Sequence, residues 1–261
     1  MMDLQAKKVL LTGATGGIGR AVAAVLDGQQ AQLLLVGRDQ EKLAALQAAL
    51  PGKHSVIIAD INTEAGRRHI LDCCRQQDLD IFINAAGVLE FQIYQSQDTQ
   101  VIERMVTTNL LAPMLLTRLL IPLLAERPES AIVHVGSIFG SIGHPGFTAY
   151  CASKFGLRGF TEALQRELHD SSIQVSYLAP RATSTELNSE SVNALNDALG
   201  NTTDSPQRVA EELLLLFGKR RHQRYLGWPE NFFVRLNGLF PGLVHNALVK
   251  KLPLIRHHAG Q

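Results

Sequence analysis

Cysteine is scarce, with three in 261 residues. Cys73 and Cys74 are adjacent and Cys151 stands far from both. That count and spacing exclude a disulfide framework and a four-ligand zinc site. A reducing, cytoplasmic compartment is the expectation. No uninterrupted apolar run approaches the length a bilayer crossing needs, so no spanning helix is expected. The chain's amino end runs into an apolar segment with no small-residue cleavage site, so no signal peptide is read there. Aromatic residues make up only 6%, and Trp228 is the single tryptophan. Proline and glycine, at 10 and 21, are too few for collagen-like or low-complexity sequence. The nine histidines show no metal-ligand spacing, so no metal site is expected, and His257-His258 lies in an end expected to fray.

What is present suits a globular chain. Apolar residues reach 46% against 19% charged, enough to build a core. Short apolar runs at 8–11, 32–36, 55–59, 80–84, 131–135, 173–178 and 224–227 read as strands. Between them, 18–26, 41–50, 63–76, 99–124 and 149–169 read as helices, with Pro113 and Pro122 as kinks in the longest. Ser205-Pro206 starts another, with a side-chain cap and proline at the first helical position. Strand–helix alternation with continuous apolar strands predicts an α/β fold. It is one doubly wound parallel sheet covered by helices on both faces. Residues 181–204 break the rhythm and are rich in Ser, Thr and Asn. A long insertion after a strand's carboxyl end predicts a lid over a cleft.

The near-zero net charge of +1 conceals an asymmetry. Residues 218–261 hold eight Lys/Arg and one acid, for +7, and residues 1–217 sum to −6. An anionic partner is expected for the tail alone. A nucleic-acid binder would be basic on its main domain as well, so none is expected here.

Two local patterns carry chemistry. Thr12-Gly-Ala-Thr-Gly-Gly-Ile-Gly19 joins the first strand to the first helix, with Gly13, Gly17 and Gly19 spaced G-x-x-x-G-x-G. Glycine lets backbone approach a pyrophosphate, and the helix amino end supplies free N–H groups and a positive dipole. In that context the turn predicts dinucleotide binding. The second strand ends Val36-Gly37-Arg38-Asp39, with glycine where a ribose-binding acid would stand. Arg38 therefore favours the 2′-phosphate of NADP, and Asp39 reads as the cap of the next helix.

The second pattern is Tyr150-Cys-Ala-Ser-Lys154 at the start of a helix. Residues four apart share a helix face, so phenol and ammonium can serve one site. A free tyrosine has a pKa of about 10, and a cation nearby favours the phenolate. Lowering that value by ~3 units takes roughly 4 kcal/mol, of which a partly buried Lys154, helped by a cationic nicotinamide, is expected to supply much. Ser137, earlier in the chain, follows the fifth strand at the edge where open α/β sheets bind ligands. Its hydroxyl could hold a carbonyl oxygen beside the tyrosine.

Together these motifs resemble the short-chain dehydrogenase/reductase family, in the subgroup with TGxxxGIG and YxxxK, over about residues 7 to 217. The resemblance implies a Rossmann-like fold, NADP (NADPH) as cofactor, and hydride transfer between nicotinamide and a carbonyl carbon. It implies that Tyr150 moves the proton, Lys154 lowers its pKa and binds the nicotinamide ribose, and Ser137 positions the carbonyl. Asn109 matches the family asparagine that holds a relay water. Gly13, Thr15, Gly17, Ile18 and Gly19 match the phosphate turn. Asp60 and Ile61 match the segment beside the adenine, and Asn84-Ala85-Ala86-Gly87 the segment along the cofactor. Thr185 matches the threonine near the carboxamide. Three residues depart from the pattern: Ala85 replaces a second asparagine, Arg181 replaces the usual glycine after Pro180, and Thr15 stands where some NADP-dependent members are basic. Arg181 is expected to crowd the nicotinamide or to reach an anionic substrate group. Family members are often dimers or tetramers, so a homo-oligomer is expected.

Beyond residue 227 lies a basic, amphipathic extension, read as distinct from the catalytic domain of residues 1–227. Phe232, Leu236, Leu239, Phe240 and Leu243 recur at helical spacing, with Pro241 splitting the run. Two roles fit: peripheral contact at the inner face of a membrane, or cover for the substrate cleft or a dimer contact. Either makes the cleft's mouth apolar and favours a hydrophobic carbonyl or alcohol substrate. Two alternatives stand beside a free-carbonyl reductase. One is a 3-oxoacyl-thioester reductase acting on carrier-bound chains. The other is a non-catalytic NADP(H)-binding sensor or scaffold. Cys151 beside Tyr150 reads as a small packing residue, and His144 as a candidate substrate contact or a surface loop residue.

Overall fold

In the computed structural model, residues 2–218 and 222–260 are described. Lys219, Arg220 and Arg221, which supply three of the tail's expected charges, lie outside the described residues. Seven parallel strands form one sheet: β1 (Lys8–Thr12), β2 (Gln32–Gly37), β3 (Ser55–Ile58), β4 (Ile81–Asn84), β5 (Ser130–Val135), β6 (Ile173–Ala179) and β7 (Gln223–Tyr225). Their spatial order is β3-β2-β1-β4-β5-β6-β7. The chain reverses direction across the sheet between β1 and β4, which opens a crevice at their carboxyl ends.

The strands alternate between two cores. Val9, Leu11, Leu33, Leu35, Ile81 and Ile83 face one side. There they meet Val22 and Leu26 of α1 (Gly17–Gly28), Leu43 of α2 (Gln40–Ala49) and Leu213 of α8 (Pro206–Leu214). Leu10, Leu34, Phe82 and Ile132 face the other. Their partners are Ile70 of α3 (Glu64–Arg75), Leu116 and Leu120 of α5 (Ala112–Ala125), and Leu164 of α6 (Thr148–Glu167). Period-two alternation thus covers both faces with apolar side chains. Each wholly buried Leu or Ile contributes roughly 1.5–3 kcal/mol.

The predicted 99–124 helix is interrupted. It divides into α4 (Thr99–Val106), one π-turn (Thr107–Leu111) and α5. Pro113 offers no N–H to the Asn109 carbonyl four residues back, and the Ala112 N–H bonds Thr107 O, five back. The 99–125 run has the length and mean hydropathy (1.5) for a bilayer crossing, contrary to expectation. Ala112, Leu116, Leu120 and Leu124 are nevertheless wholly buried against the sheet.

The 181–204 segment holds a helix that the composition concealed, α7 (Glu190–Ala198), capped by Ser189, whose oxygen accepts from Val192 N. The tail forms α9 (Glu230–Leu239), α10 (Pro241–Lys250) and α11 (Leu252–His258), with Pro241 opening α10 as a first-turn proline can. The end does not fray as expected. Ile255 of α11 is wholly buried and packs in one cluster with Phe91, Phe147 and, on α7, Leu195.

Candidate active site

The phosphate turn is closed by its own glycines. Gly13 has φ +67°, and a Cβ there would lie 2.6 Å from Ala86 N. A Cβ on Gly19 would lie 2.0 Å from Gly13 O, and one on Gly17 would lie 2.6 Å from Cγ2 of Thr185. α1 then begins with no side-chain cap and no acid in its first turn. α2, α3 and α7 each have both: Asp39 with Glu41, Thr63 with Glu64, and Ser189 with Glu190. An uncapped amino terminus with a glycine cradle suits an anionic phosphate, so these residues fit the dinucleotide. Ile18, at the start of α1, also lines the main cavity, as does Thr185.

Around the turn, Thr12 Oγ1 donates to Asn84 Oδ1 (2.9 Å), tying β1 to β4, and Thr12 O accepts from Ala85 N (3.2 Å). Thr15 O accepts from Arg20 Nη1 (2.7 Å), and Arg20 reaches Glu186 in the lid (2.7 Å). Arg38 is exposed, with no ion pair or hydrogen bond among the described residues. Asp39 caps α2 through Lys42 N (3.0 Å), as expected. Asp60 Oδ1 accepts from Asn62 N (2.9 Å), while Ile61 is buried and its carbonyl holds Arg67 (2.7 Å).

The catalytic candidates meet where β5 ends. Ser137 follows β5, and its oxygen accepts from Phe139 N (3.1 Å). Tyr150 and Lys154 lie in the first two turns of α6, with Lys154 Nζ 5.7 Å from the Tyr150 ring centre. Lys154 Nζ also donates to Val135 O (3.2 Å). A Cβ on Gly87 would sit 3.6 Å from that ammonium and 3.4 Å from Asn109 Oδ1, filling the space between them. Asn109 Nδ2 donates to Val88 O (2.9 Å) and Ser153 Oγ (3.1 Å), while its Oδ1 accepts from Val88 N (2.8 Å). Ser153 in turn donates to Tyr150 O (2.7 Å). Asn109 thereby joins the π-turn, the Gly87 segment and α6.

Burial dominates the electrostatics of this cluster. Burial pushes the Tyr150 phenol up to about 12, and the Ser137 hydroxyl pulls it back only in part. Burial also drags the Lys154 ammonium down to about 8. Desolvation is the largest influence on both groups. Burial likewise raises Cys151 to about 11, which leaves it a packing thiol rather than a reactive one.

One contributor escaped the sequence reading. Wholly buried Tyr177 of β6 accepts from Ser137 N and donates to Ser137 O, both at 3.2 Å. A Cβ on Gly136 would strike its ring at 2.1 Å. The Gly136-Ser137 pair therefore rests on a phenol supplied by the neighbouring strand. The one local signal was a tyrosine inside an apolar strand, where a buried hydroxyl needs a partner.

Arg181 also departs from expectation. It does not lie free for a substrate anion. Its Nε and Nη2 grip both oxygens of buried Asp204 (3.0 and 2.8 Å), and Nη1 meets Glu230 (3.1 Å). It joins the β6 end to both ends of the lid and to α9, where Thr183 and Asp204 also bridge. Gly227, at φ +89°, leaves room for it: a Cβ there would lie 2.5 Å from Arg181 Cδ.

These elements enclose a cavity of about 290 Å³. Ser137 and Tyr150 line it. Apolar side chains make up much of the rest, Phe139, Phe147, Leu195 of α7, Leu236 of α9 and Leu248 of α10, beside the polar Asn188, Asn196 and Lys251. The tail thus covers the cleft, anchored by Asn237 Nδ2 to Ser141 O (2.9 Å) and by Ile255. His144 lines the cavity with its Nδ1 held on Pro145 O (2.8 Å). Burial lowers its pKa, partly offset by that hydrogen bond.

Known proteins share this arrangement. The short chain dehydrogenase family matches residues 7–196. A nodulation protein G of Rhizobium sp. (strain N33) is 32% identical over 69% of this chain and 74% of its own. A 3-oxoacyl-[acyl-carrier-protein] reductase of Rickettsia prowazekii is 29% identical over the same shares. A dehydrogenase/reductase SDR family member 7B of Bos taurus is 31% identical over 93% of this chain and 80% of its own. Among solved structures, a short chain dehydrogenase/reductase from Burkholderia phymatum, in complex with NAD, superposes with TM-score 0.85 at 20% identity, covering 93% of this chain and 96% of its own. Glycine turn, Ser–Tyr–Lys cluster, parallel sheet and family match agree: the chain belongs to the short chain dehydrogenase family, and it is an oxidoreductase of that family.

Proposed function

We propose that this protein is an NADP(H)-dependent oxidoreductase that interconverts a hydrophobic ketone or aldehyde and its alcohol. One observation carries the reading: Ser137 and Tyr150 line one cavity together with apolar side chains of α7, α9 and α10. The glycine turn from Gly13 to Gly19, Asp60, Ile61, Asn84, Ala85, Gly87 and Thr185 would hold the dinucleotide. Arg38, unpaired and next to Gly37, would meet the 2′-phosphate. When bound, the nicotinamide supplies or accepts the hydride.

The chain's own residues do the rest. Ser137, its backbone held by Tyr177 and its oxygen by Phe139 N, would position a carbonyl oxygen beside Tyr150. Tyr150, protonated at neutral pH, stands ready to give its proton to the alkoxide that forms on reduction. Lys154, 5.7 Å from the Tyr150 ring centre, would place a cation beside the phenol and bind the ribose hydroxyls. Asn109 positions this group through Val88 and Ser153 and would hold the relay water.

NADPH oxidation with a carbonyl panel tests the reading. Turnover with NADPH over NADH that disappears in Tyr150→Phe supports it. Full activity in that variant contradicts the mechanism, and equal use of both nucleotides contradicts the role of Arg38.

A second reading is a 3-oxoacyl-thioester reductase, favoured by the similarity to acyl-carrier-protein reductases. Arg181 lends it no support, because Asp204 and Glu230 already occupy that cation. Salt-sensitive turnover of a carrier-linked chain, with none of the free thioester, would select it. We also place the protein in the cytoplasm as a homo-oligomer. Exposed Leu111, Met114 and Phe155 on the adjoining π-turn, α5 and α6 suit a second copy, and a sedimentation mass of one chain would contradict it.

A further inference from the structure

The outer surface of α9, α10 and α11 serves no purpose in the chemistry above. Trp228 is 75% exposed, Leu239 74% and Phe240 59%, and Phe232 stands beside them with its ring 5.8 Å from Trp228. None of these four lines the cavity. Leu187, Phe233 and Leu243 do line it and are exposed as well, so they mark its mouth. The apolar patch therefore runs from outer surface to entrance. An isolated surface leucine needs no explanation, but a continuous patch around a cavity mouth does.

Charge identifies what covers it. Arg235, Lys250, Lys251 and Arg256 belong to the same run of helices, Lys251 also lining the cavity, and none forms an ion pair among the described residues. The one acid of these helices, Glu230, is held by Arg181. A second copy seated on the same face would bring four unpaired cations against four. A neutral apolar partner would leave the cations unused. We propose that this face docks on a bilayer rich in anionic phospholipid. Trp228, Phe232, Leu239 and Phe240 enter the interface, and the cavity mouth opens toward the lipid. Aromatic and aliphatic side chains beside lysine and arginine are the composition that binds such an interface. The hydrophobic carbonyl would then enter from the membrane. That last clause rests on the proposed reductase function, whereas the docking does not.

Trp228 is the only tryptophan, so its emission reports on the patch directly. Full-length protein would be titrated with vesicles of phosphatidylcholine alone and of phosphatidylcholine with phosphatidylglycerol, with and without added salt. The expected result is a blue shift on the anionic vesicles, at least ten-fold weaker partitioning onto the neutral ones, and weakening by salt. Leu239→Ser with Phe240→Ser should lose at least ten-fold in partitioning, and Arg235→Glu with Lys250→Glu should lose the anionic preference. Both variants should keep the wild-type circular dichroism and turnover of a water-soluble carbonyl. An unshifted emission at every lipid concentration overturns the proposal. So does a shift that follows protein concentration without lipid, which would assign the face to a second copy. Docking without turnover of any carbonyl would leave docking standing and overturn the reductase reading.

Discussion

The floor and the roof of the cavity are built in opposite ways. The floor, Ser137, Tyr150 and Lys154, comes from one short stretch of chain that leaves β5 and enters α6. Helical spacing alone places Tyr150 and Lys154 together. The roof comes from the lid and from α9, α10 and α11, and it is held by contacts between residues distant in sequence. Arg181 with Asp204 and Glu230, Asn237 with Ser141, and Ile255 against Phe91 are its fastenings. The difference separates two jobs. On the proposed function, a locally built floor would set the reaction and a long-range roof what reaches it.

The largest expected effect removes the floor's proton. Tyr150→Phe should lower kcat by roughly 10²–10⁴-fold, the range for a lost general acid, without loosening the roof. Stopped-flow turnover and NADPH binding, measured together, separate the two. Loss of nucleotide binding along with turnover would contradict the division.

Next is the fastening at Arg181. Arg181→Met leaves Asp204 buried with only the exposed Arg208 near it (3.3 Å). Breaking such a buried pair costs about 3–5 kcal/mol. The melting temperature should fall, and KM for long-chain carbonyls should rise more than kcat changes. Equal KM changes for short and long substrates would show that Arg181 does not shape the roof.

Lys154→Met should destroy activity yet raise stability. Burial has moved this ammonium from 10.5 to about 8, a penalty of ~3 kcal/mol. Between those pH values the unfolded chain binds the proton and the folded chain does not. The penalty is therefore full below about pH 8 and fades as pH rises toward 10.5. Urea melts should show wild-type stability climbing across that window relative to Lys154→Met, and parallel curves would contradict it.

A smaller effect lies beneath the floor. His134 of β5 is wholly buried between Phe82 and Phe160, and neither ring nitrogen has a hydrogen-bond partner. Burial lowers its pKa to about 3. From pH 6.5 down to about 3 the unfolded chain alone binds that proton, so stability falls as pH falls. At pH 5 the loss is about 2 kcal/mol by that shift. His134→Leu should flatten the acid limb of a stability curve, and an unchanged limb would assign acid unfolding elsewhere.

Local spacing explains what was legible. The glycine turn, the Tyr150–Lys154 pair and the alternating strands each follow from residues close in sequence. The lid's helix was hidden by polar composition, although Ser189 before Val192, Leu195 and Leu199 gave it a cap and an apolar face. The roles of Tyr177 and Arg181 were out of reach, because their partners come from distant parts of the chain. Spacing also shows the cation neighbouring Tyr150 but not the depth of burial around it.

The most direct measurement is kcat/KM for NADPH-linked reduction of a carbonyl series with increasing chain length, in wild type and in Leu248→Gln. Leu248 lines the roof and does not touch the floor's hydrogen bonds. The account predicts a steep rise with chain length in the wild type and a flatter one in the variant, with the two equal on the shortest substrate. A chain-length profile that is flat in the wild type, or a variant impaired equally on every substrate, would contradict the division between floor and roof.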